Sequence, residues 1–231
     1  LSLIVALDFP ELEPCRKLLS ELGDLVKIYK IGTELFTAHG WEAVELVHQA
    51  GAKVFLDLKL HDIPTTVAKT ARVIARRGIF MFNVHTLGGL QMMRETRRAV
   101  DEECKTGKKP LLLGVTILTS HEEKALEREL GIKRPLKEEV MSLARLAREA
   151  GLDGVIASPG EAELLRKELG KGFLLVTPGI RPAESAQDDQ KRALTPQEAL
   201  RRGADYLVVG RPITGASDPR QAVQHILQSL S

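Results

Sequence analysis

Cysteine is scarce in this chain, with Cys15 and Cys104 its only two, and they form no CxxC pair and have no metal-ligand spacing. That argues against a disulfide scaffold and a zinc site, and it fits a reduced cytosolic protein in which both thiols are buried or idle. Long apolar runs are missing too. The opening run Leu3 to Leu7 is too short to span a bilayer and has no basic segment ahead of it, so it reads as a strand, not a signal peptide, and the expected location is the cytoplasm. Nor is there an extended basic run. With a formal net charge of +2, nothing resembles the footprint of a nucleic-acid binder. Asn83 is the only asparagine, against plentiful Arg, Lys and Glu, a bias met in thermophilic proteins. No Ser/Gly-rich or repetitive segment divides the chain, so residues 1–231 are expected to form one domain.

What is present is a regular alternation. Short β-type runs recur at Leu3–Leu7, Val26–Ile31, Lys53–Leu58, Ile79–Val84, Leu111–Ile117, Asp153–Ala157, Phe173–Val176 and Asp205–Val209. Between most of them lie apolar residues at helical spacing, such as Val67, Ala71, Ile74 and Ala75 ahead of Gly78. Two late helices carry their own start signals: Thr195, Pro196 and Glu198 form a capping box, and Asp218 with Pro219 repeats the pattern. Eight strand–helix units in this length predict an α/β fold, a closed (β/α)8 TIM barrel. An open doubly wound sheet would call for a GxGxxG-type turn after an early strand, and none is found.

In such a barrel the active site is built at the C-terminal strand ends. Those ends read Asp8, Lys30, the group Asp57/Lys59/Asp62, Thr119, Arg181 and Arg211. The third is the densest. Successive strand side chains face opposite ways, so Val54, Leu56 and Leu58 are expected on one face and Phe55, Asp57 and Lys59 on the other. Asp62 falls beyond the strand, in the turn closed by Pro64 at the first position of the next helix. From there it can lean back over Lys59 or reach toward a neighbouring subunit. A lysine between carboxylates suits electrostatic chemistry, but an ion pair that merely lines the barrel would look the same.

The other side of the mouth is more specific. Thr177-Pro178-Gly179-Ile180-Arg181 follows the seventh run, and Gly210-Arg211-Pro212 follows the eighth, where Pro212 is expected to begin a short helix. Barrels bind phosphate there, with glycine for close backbone approach, exposed N–H donors and arginine forks. Residues 183–192, polar and without strong periodicity, suit a loop that folds over a bound phosphate, and an idle surface loop would read alike. His61 and His85 are assigned to packing or supporting roles, and no His-centred metal site has the required spacing.

Taken together, the chain resembles the orotidine 5′-phosphate decarboxylase family over nearly its whole length. The residues that carry the resemblance are Asp57-Leu-Lys-Leu-His-Asp-Ile-Pro-Thr-Thr66, Thr177-Pro-Gly-Ile-Arg181 and Val208-Val-Gly-Arg211, with Lys30-Ile-Gly32 and Leu118-Thr-Ser120 in support. It implies a homodimeric barrel without metal or organic cofactor that converts orotidine 5′-phosphate to UMP and carbon dioxide. By the same resemblance, Lys59 protonates the pyrimidine carbon, Asp57 sits beside the departing carboxylate, Asp62 comes from the partner subunit together with Thr66, and Ile63 helps to bind the substrate. Asp8 and Lys30 would hold the ribose, Thr119 the pyrimidine, and Gln190, Arg181 and Arg211 the phosphate with the N–H of Gly210.

Three other readings compete. Magnesium-dependent relatives that decarboxylate keto-sugar-acid phosphates or make hexulose phosphates share the DxKxxD core, but they resemble Glu-Ile-Gly-Thr where this chain has Lys30-Ile-Gly-Thr33. A Schiff-base aldolase needs a lysine that loses its proton readily, which Asp57 and Asp62 oppose. A sensor that binds a nucleotide phosphate without turnover would have no use for a complete Asp/Lys/Asp cluster.

Overall fold

The computed structural model describes residues 3–121, 123–181 and 194–230. All eight expected runs are parallel strands: β1 Leu3–Ala6, β2 Ile28–Gly32, β3 Lys53–Leu60, β4 Met81–His85, β5 Leu111–Val115, β6 Gly154–Ile156, β7 Leu174–Thr177 and β8 Tyr206–Val209. They pair in chain order and β8 closes on β1, giving the (β/α)8 barrel that the alternation predicts. No helix of the described residues is long and apolar enough to cross a membrane.

The period of two divides each strand between two cores. Side chains such as Val5, Tyr29, Val54, Leu56, Phe82 and Val84 point outward into the layer shared with the helices. Ile4, Ala6, Ile28, Phe55, Met81, Leu113, Val176 and Val208 point inward and fill the barrel. Two residues further along the inward rows the chemistry changes: after Ala6 comes Asp8, after Ile28 Lys30, after Phe55 Asp57 and after Met81 Asn83. The apolar plug thus ends in a polar layer at the C-terminal mouth.

Helix starts follow local chemistry. Pro64 opens the helix Pro64–Ala75, where its missing N–H and fixed φ cost nothing. Thr195 and Glu198 form the expected capping box ahead of Pro196–Arg201, each side chain accepting the other's backbone N–H at 3.3 Å. Asp218 accepts from the Gln221 N–H at 2.8 Å and starts Pro219–Ser229. The short helix after β8 spans Arg211–Thr214, so Arg211, not Pro212, is its first residue.

One strand departs from ideal alternation. The β3–β4 register shifts between Leu56 and Leu60, and within that interval Lys59 adopts φ +50°, the only non-glycine residue described with positive φ. Such a backbone costs on the order of 1–2 kcal/mol for a side chain with a Cβ.

Candidate active site

A cavity of about 280 Å³ opens at the C-terminal end of the barrel. Asp8, Lys30, Asp57, Lys59, Thr119, Arg181, Gly210 and Arg211 all line it, so eight of the expected site residues converge on one mouth. Val115, Ile117, Ile156, Ile180 and Val208 supply an apolar wall that strand-end reasoning did not anticipate. The mixture suits a small anionic ligand with a flat apolar part.

Charge is concentrated at the junction of β2 and β3. Lys30 Nζ lies 3.0 Å from Asp8 Oδ1 and 3.4 Å from Asp57 Oδ2. Lys59 Nζ donates to Asp57 Oδ1 at 2.8 Å. Asn83 Nδ2 donates to the same oxygen at 2.6 Å, and its Oδ1 accepts the backbone N–H of Lys59 at 2.7 Å. Burial opposes charge on Asp57, but Lys30, Lys59 and the hydrogen bonds from Lys59 and Asn83 outweigh it and hold the carboxyl below its ordinary range. Burial likewise opposes the Lys30 ammonium, and Asp57 with Asp8 outweighs that penalty and raises its pKa. Lys30 and Asp57 therefore stay ionised, and the amines of Lys30 and Lys59 share one buried carboxylate.

Asn83 was missed as a site residue. Its signal was available, since it is a lone amide in an apolar run and shares the inward alternation of Met81.

On the opposite side, Gly179 has φ +76°, a left-handed conformation that glycine adopts without penalty and that sets the turn carrying Arg181. At Gly210 the constraint is space, because a Cβ there would lie 3.3 Å from Asp8 Oδ2. Arg211 follows directly on the cavity wall.

Asp62, Ile63 and Thr66 are not in the cavity lining of their own chain. All are exposed, Ile63 by 64%, and Asp62 Oδ1 accepts the Ile63 N–H at 2.6 Å in the turn before Pro64. Gln190 and the whole 183–192 segment lie outside the described residues. His61 and His85 stack with ring centroids 5.5 Å apart, beside the cavity rather than in its lining. Burial, and then the charges of His61, Lys59 and His121, lower the pKa of His85 to about 4, so at neutral pH it is a neutral ring. That agrees with a packing role.

Fold and cavity together define a class: a (β/α)8 barrel whose C-terminal mouth presents a fixed charged cluster opposite two arginines. Within it, residues 2–226 match the model of the Orotidine 5'-phosphate decarboxylase / HUMPS family, and the chain belongs to that family. A Geobacter sulfurreducens protein named orotidine 5'-phosphate decarboxylase is 50% identical over 227 residues, covering 98% of this chain and 95% of its own length. One of the same name from Moorella thermoacetica is 50% identical over 230 residues, covering 99% and 91%. The crystal structure of orotidine 5'-phosphate decarboxylase from Lactobacillus acidophilus superposes with a TM-score of 0.88 at 42% identity, covering 99% of this chain and 98% of that one.

Proposed function

We propose that this protein decarboxylates orotidine 5′-phosphate to UMP in pyrimidine biosynthesis, with Lys59 as the proton donor. The observation that carries the reading is the Lys59–Asp57 pair, 2.8 Å apart, lining the same cavity as Arg181 and Arg211. Family membership and relatives near 50% identity support the substrate.

Cleavage of the bond between the ring and the carboxylate expels CO2 and leaves an electron pair in an in-plane orbital on the ring carbon, which ring resonance cannot spread. A preorganised ammonium beside that carbon stabilises the developing charge without reorganising. Lys59 then gives up one proton, forming the C–H bond of UMP, and is reprotonated from water. Asp57 stands beside the departing carboxylate and keeps the lysine in register. Lys30 and Asp8 hold the ribose, Thr119 contacts the base, and Arg181, Arg211 and the Gly210 N–H take the phosphate, with Gln190 joining them. Phosphate binding far from the reacting carbon lowers the barrier by ordering the charged layer around the base.

Asp62, Ile63 and Thr66 serve the site of a partner subunit in a homodimer, which accounts for their exposure beside a cavity they do not line. The enzyme works in the cytoplasm on a small nucleotide, with neither nucleic acid nor membrane as partner.

Lys30 separates this reaction from that of the magnesium-dependent relatives. Its ammonium sits between Asp8 and Asp57, where it meets the charge a divalent cation would otherwise neutralise, so the site calls for no metal. The test follows the absorbance of orotidine 5′-phosphate with purified protein in excess EDTA. Wild type turns over at its full rate and Lys59→Ala shows none; loss of wild-type activity on chelation would favour the sugar-phosphate chemistry instead.

A further inference from the structure

Lys59 combines three features that do not ordinarily meet: a left-handed backbone, a place inside a register shift of β3 against β4, and a charged side chain aimed into a cavity. The shift leaves its N–H without a place in the regular ladder. A buried N–H needs an acceptor. Asn83 supplies one from the side chain, Oδ1 to N at 2.7 Å, and its own amide N–H reaches Asp57 Oδ1 at 2.6 Å.

These partners fix the orientation of the amide. A backbone N–H can only donate, so it faces the amide oxygen; an ionised carboxylate can only accept, so it faces the amide nitrogen. Asn83 is fully buried and held within β4, whose neighbouring strand β5 pairs with it at Leu113. It therefore joins a rigid strand to both ends of the catalytic pair: the main chain that carries the lysine and the oxygen that receives its ammonium. No other residue type fits as well. Aspartate would face Asp57 with a second negative charge, leucine would leave the Lys59 N–H unpaired, and serine is too short to span both contacts.

We propose that Asn83 is a positioning residue that sets where the Lys59 ammonium stands relative to Asp57 and the reacting carbon. This rests on the reading of Lys59 as the proton donor. Asn83 itself touches no substrate, since it is absent from the cavity lining. Its effect should therefore fall on the chemical step and leave nucleotide binding through ribose and phosphate intact.

The experiment compares wild type, Asn83→Ala and Lys59→Ala by kcat, by the affinity for UMP, and by the pH profile of kcat/KM. For Asn83→Ala the expected result is a kcat lowered by about 100-fold, the order of loss produced by a small misplacement of a reacting group. UMP affinity should change by less than about threefold, and the acid limb of the profile should move to higher pH because Asp57 has lost a donor. A wild-type kcat, or a kcat and UMP affinity that fall together, would overturn the proposal. Should Asn83→Ala fail to fold, the uncharged Asn83→Ser, too short to span both contacts, carries the same readouts. Reduced kcat with a raised acid limb supports positioning, an unchanged kcat overturns it, and failure of both variants to fold overturns it by making Asn83 a residue of the core alone. Lys59→Ala keeps the two ideas apart. If that variant remains active, the proton-donor reading falls, whatever Asn83 does.

Discussion

Lys30 and Asp57 meet across the β2–β3 pair at 3.4 Å, and the carboxylate oxygen that Lys30 leaves is the one Lys59 occupies at 2.8 Å. A single buried acid thus holds two lysines from adjacent strands at fixed separation. Both Lys30 and Asp57 are nearly closed to water, with side chains 12% and 11% exposed, so neither charge is screened as a surface pair would be.

Lys30→Met is therefore expected to destabilise the protein at pH 7 by about 1–3 kcal/mol, because Asp57 loses one charged partner while keeping Lys59 and Asn83. The sign with pH follows from the shifts. Asp57 is held low, so its contribution is full above its unfolded pKa of 3.8 and is lost as pH falls through the lower folded value. Lys30 is held high, so its contribution is full below 10.5 and is lost as pH rises through the higher folded value. Urea unfolding of both proteins across pH should show the widest gap in the middle of the range, narrowing at either extreme. A gap that does not vary with pH would remove the ionic account.

Arg211→Ala should depress kcat/KM by roughly 30-fold or more, about 2 kcal/mol, the range of a hydrogen bond to a charged group. Steady-state kinetics with and without added guanidinium ion, which can refill the vacated cation site, measures the loss and its rescue. An unchanged kcat/KM would detach phosphate recognition from this end of the barrel.

How much of this was readable beforehand depends on how local each cause is. The strand runs are local, and all eight fell within two residues of their observed ends. The strand-end charges followed at once, because inward alternation carried Asp8, Lys30 and Asp57 past the apolar plug. Strict alternation did not foresee the positive φ at Lys59, since a register shift is a property of β3 against β4, not of β3 alone. The inward alternation could flag Asn83 as a buried amide, but not what it binds. Its meaning lies in two partners 24 and 26 residues away along the chain, and nothing in Ile79–Val84 names them. The apolar cavity wall of Val115, Ile117, Ile156, Ile180 and Val208 was equally invisible, because a valine or isoleucine facing ligand reads like one facing the core.

His85 gives a prediction about acid stability. Its folded pKa, about 4, lies below the 6.5 of an unfolded histidine, so the unfolded chain takes up the proton first. The stability it contributes is complete above pH 6.5 and is lost as pH falls toward 4. Discounted for the partial exposure of the ring, the loss is about 1–2 kcal/mol. Replacing it in His85→Gln should flatten the fall in melting temperature between pH 6.5 and 4, measured by calorimetry at several pH values. If the variant and wild type decline in parallel, the burial of a neutral imidazole is not what makes the protein acid-sensitive.

Subunit mixing tests whether Asp62 works in the neighbouring site. Lys59→Ala and Asp62→Ala should each be nearly inactive as homodimers, for one lacks the proton donor and the other the second carboxylate. In a heterodimer the two defects fall in the same site if Asp62 crosses the interface, leaving the other site with a native Lys59 and a native Asp62. Random reassortment of equal amounts makes half of the dimers mixed, so about one quarter of wild-type activity should return. The readout is the rate of orotidine 5′-phosphate consumption after co-refolding, or after co-expression with two tags and purification of the mixed species, which should then show half of wild-type activity. Were Asp62 to serve its own chain's Lys59, each chain of the heterodimer would keep its own defect and both sites would stay dead. The exposed turn that holds Asp62, Ile63 and Thr66 would then need another explanation.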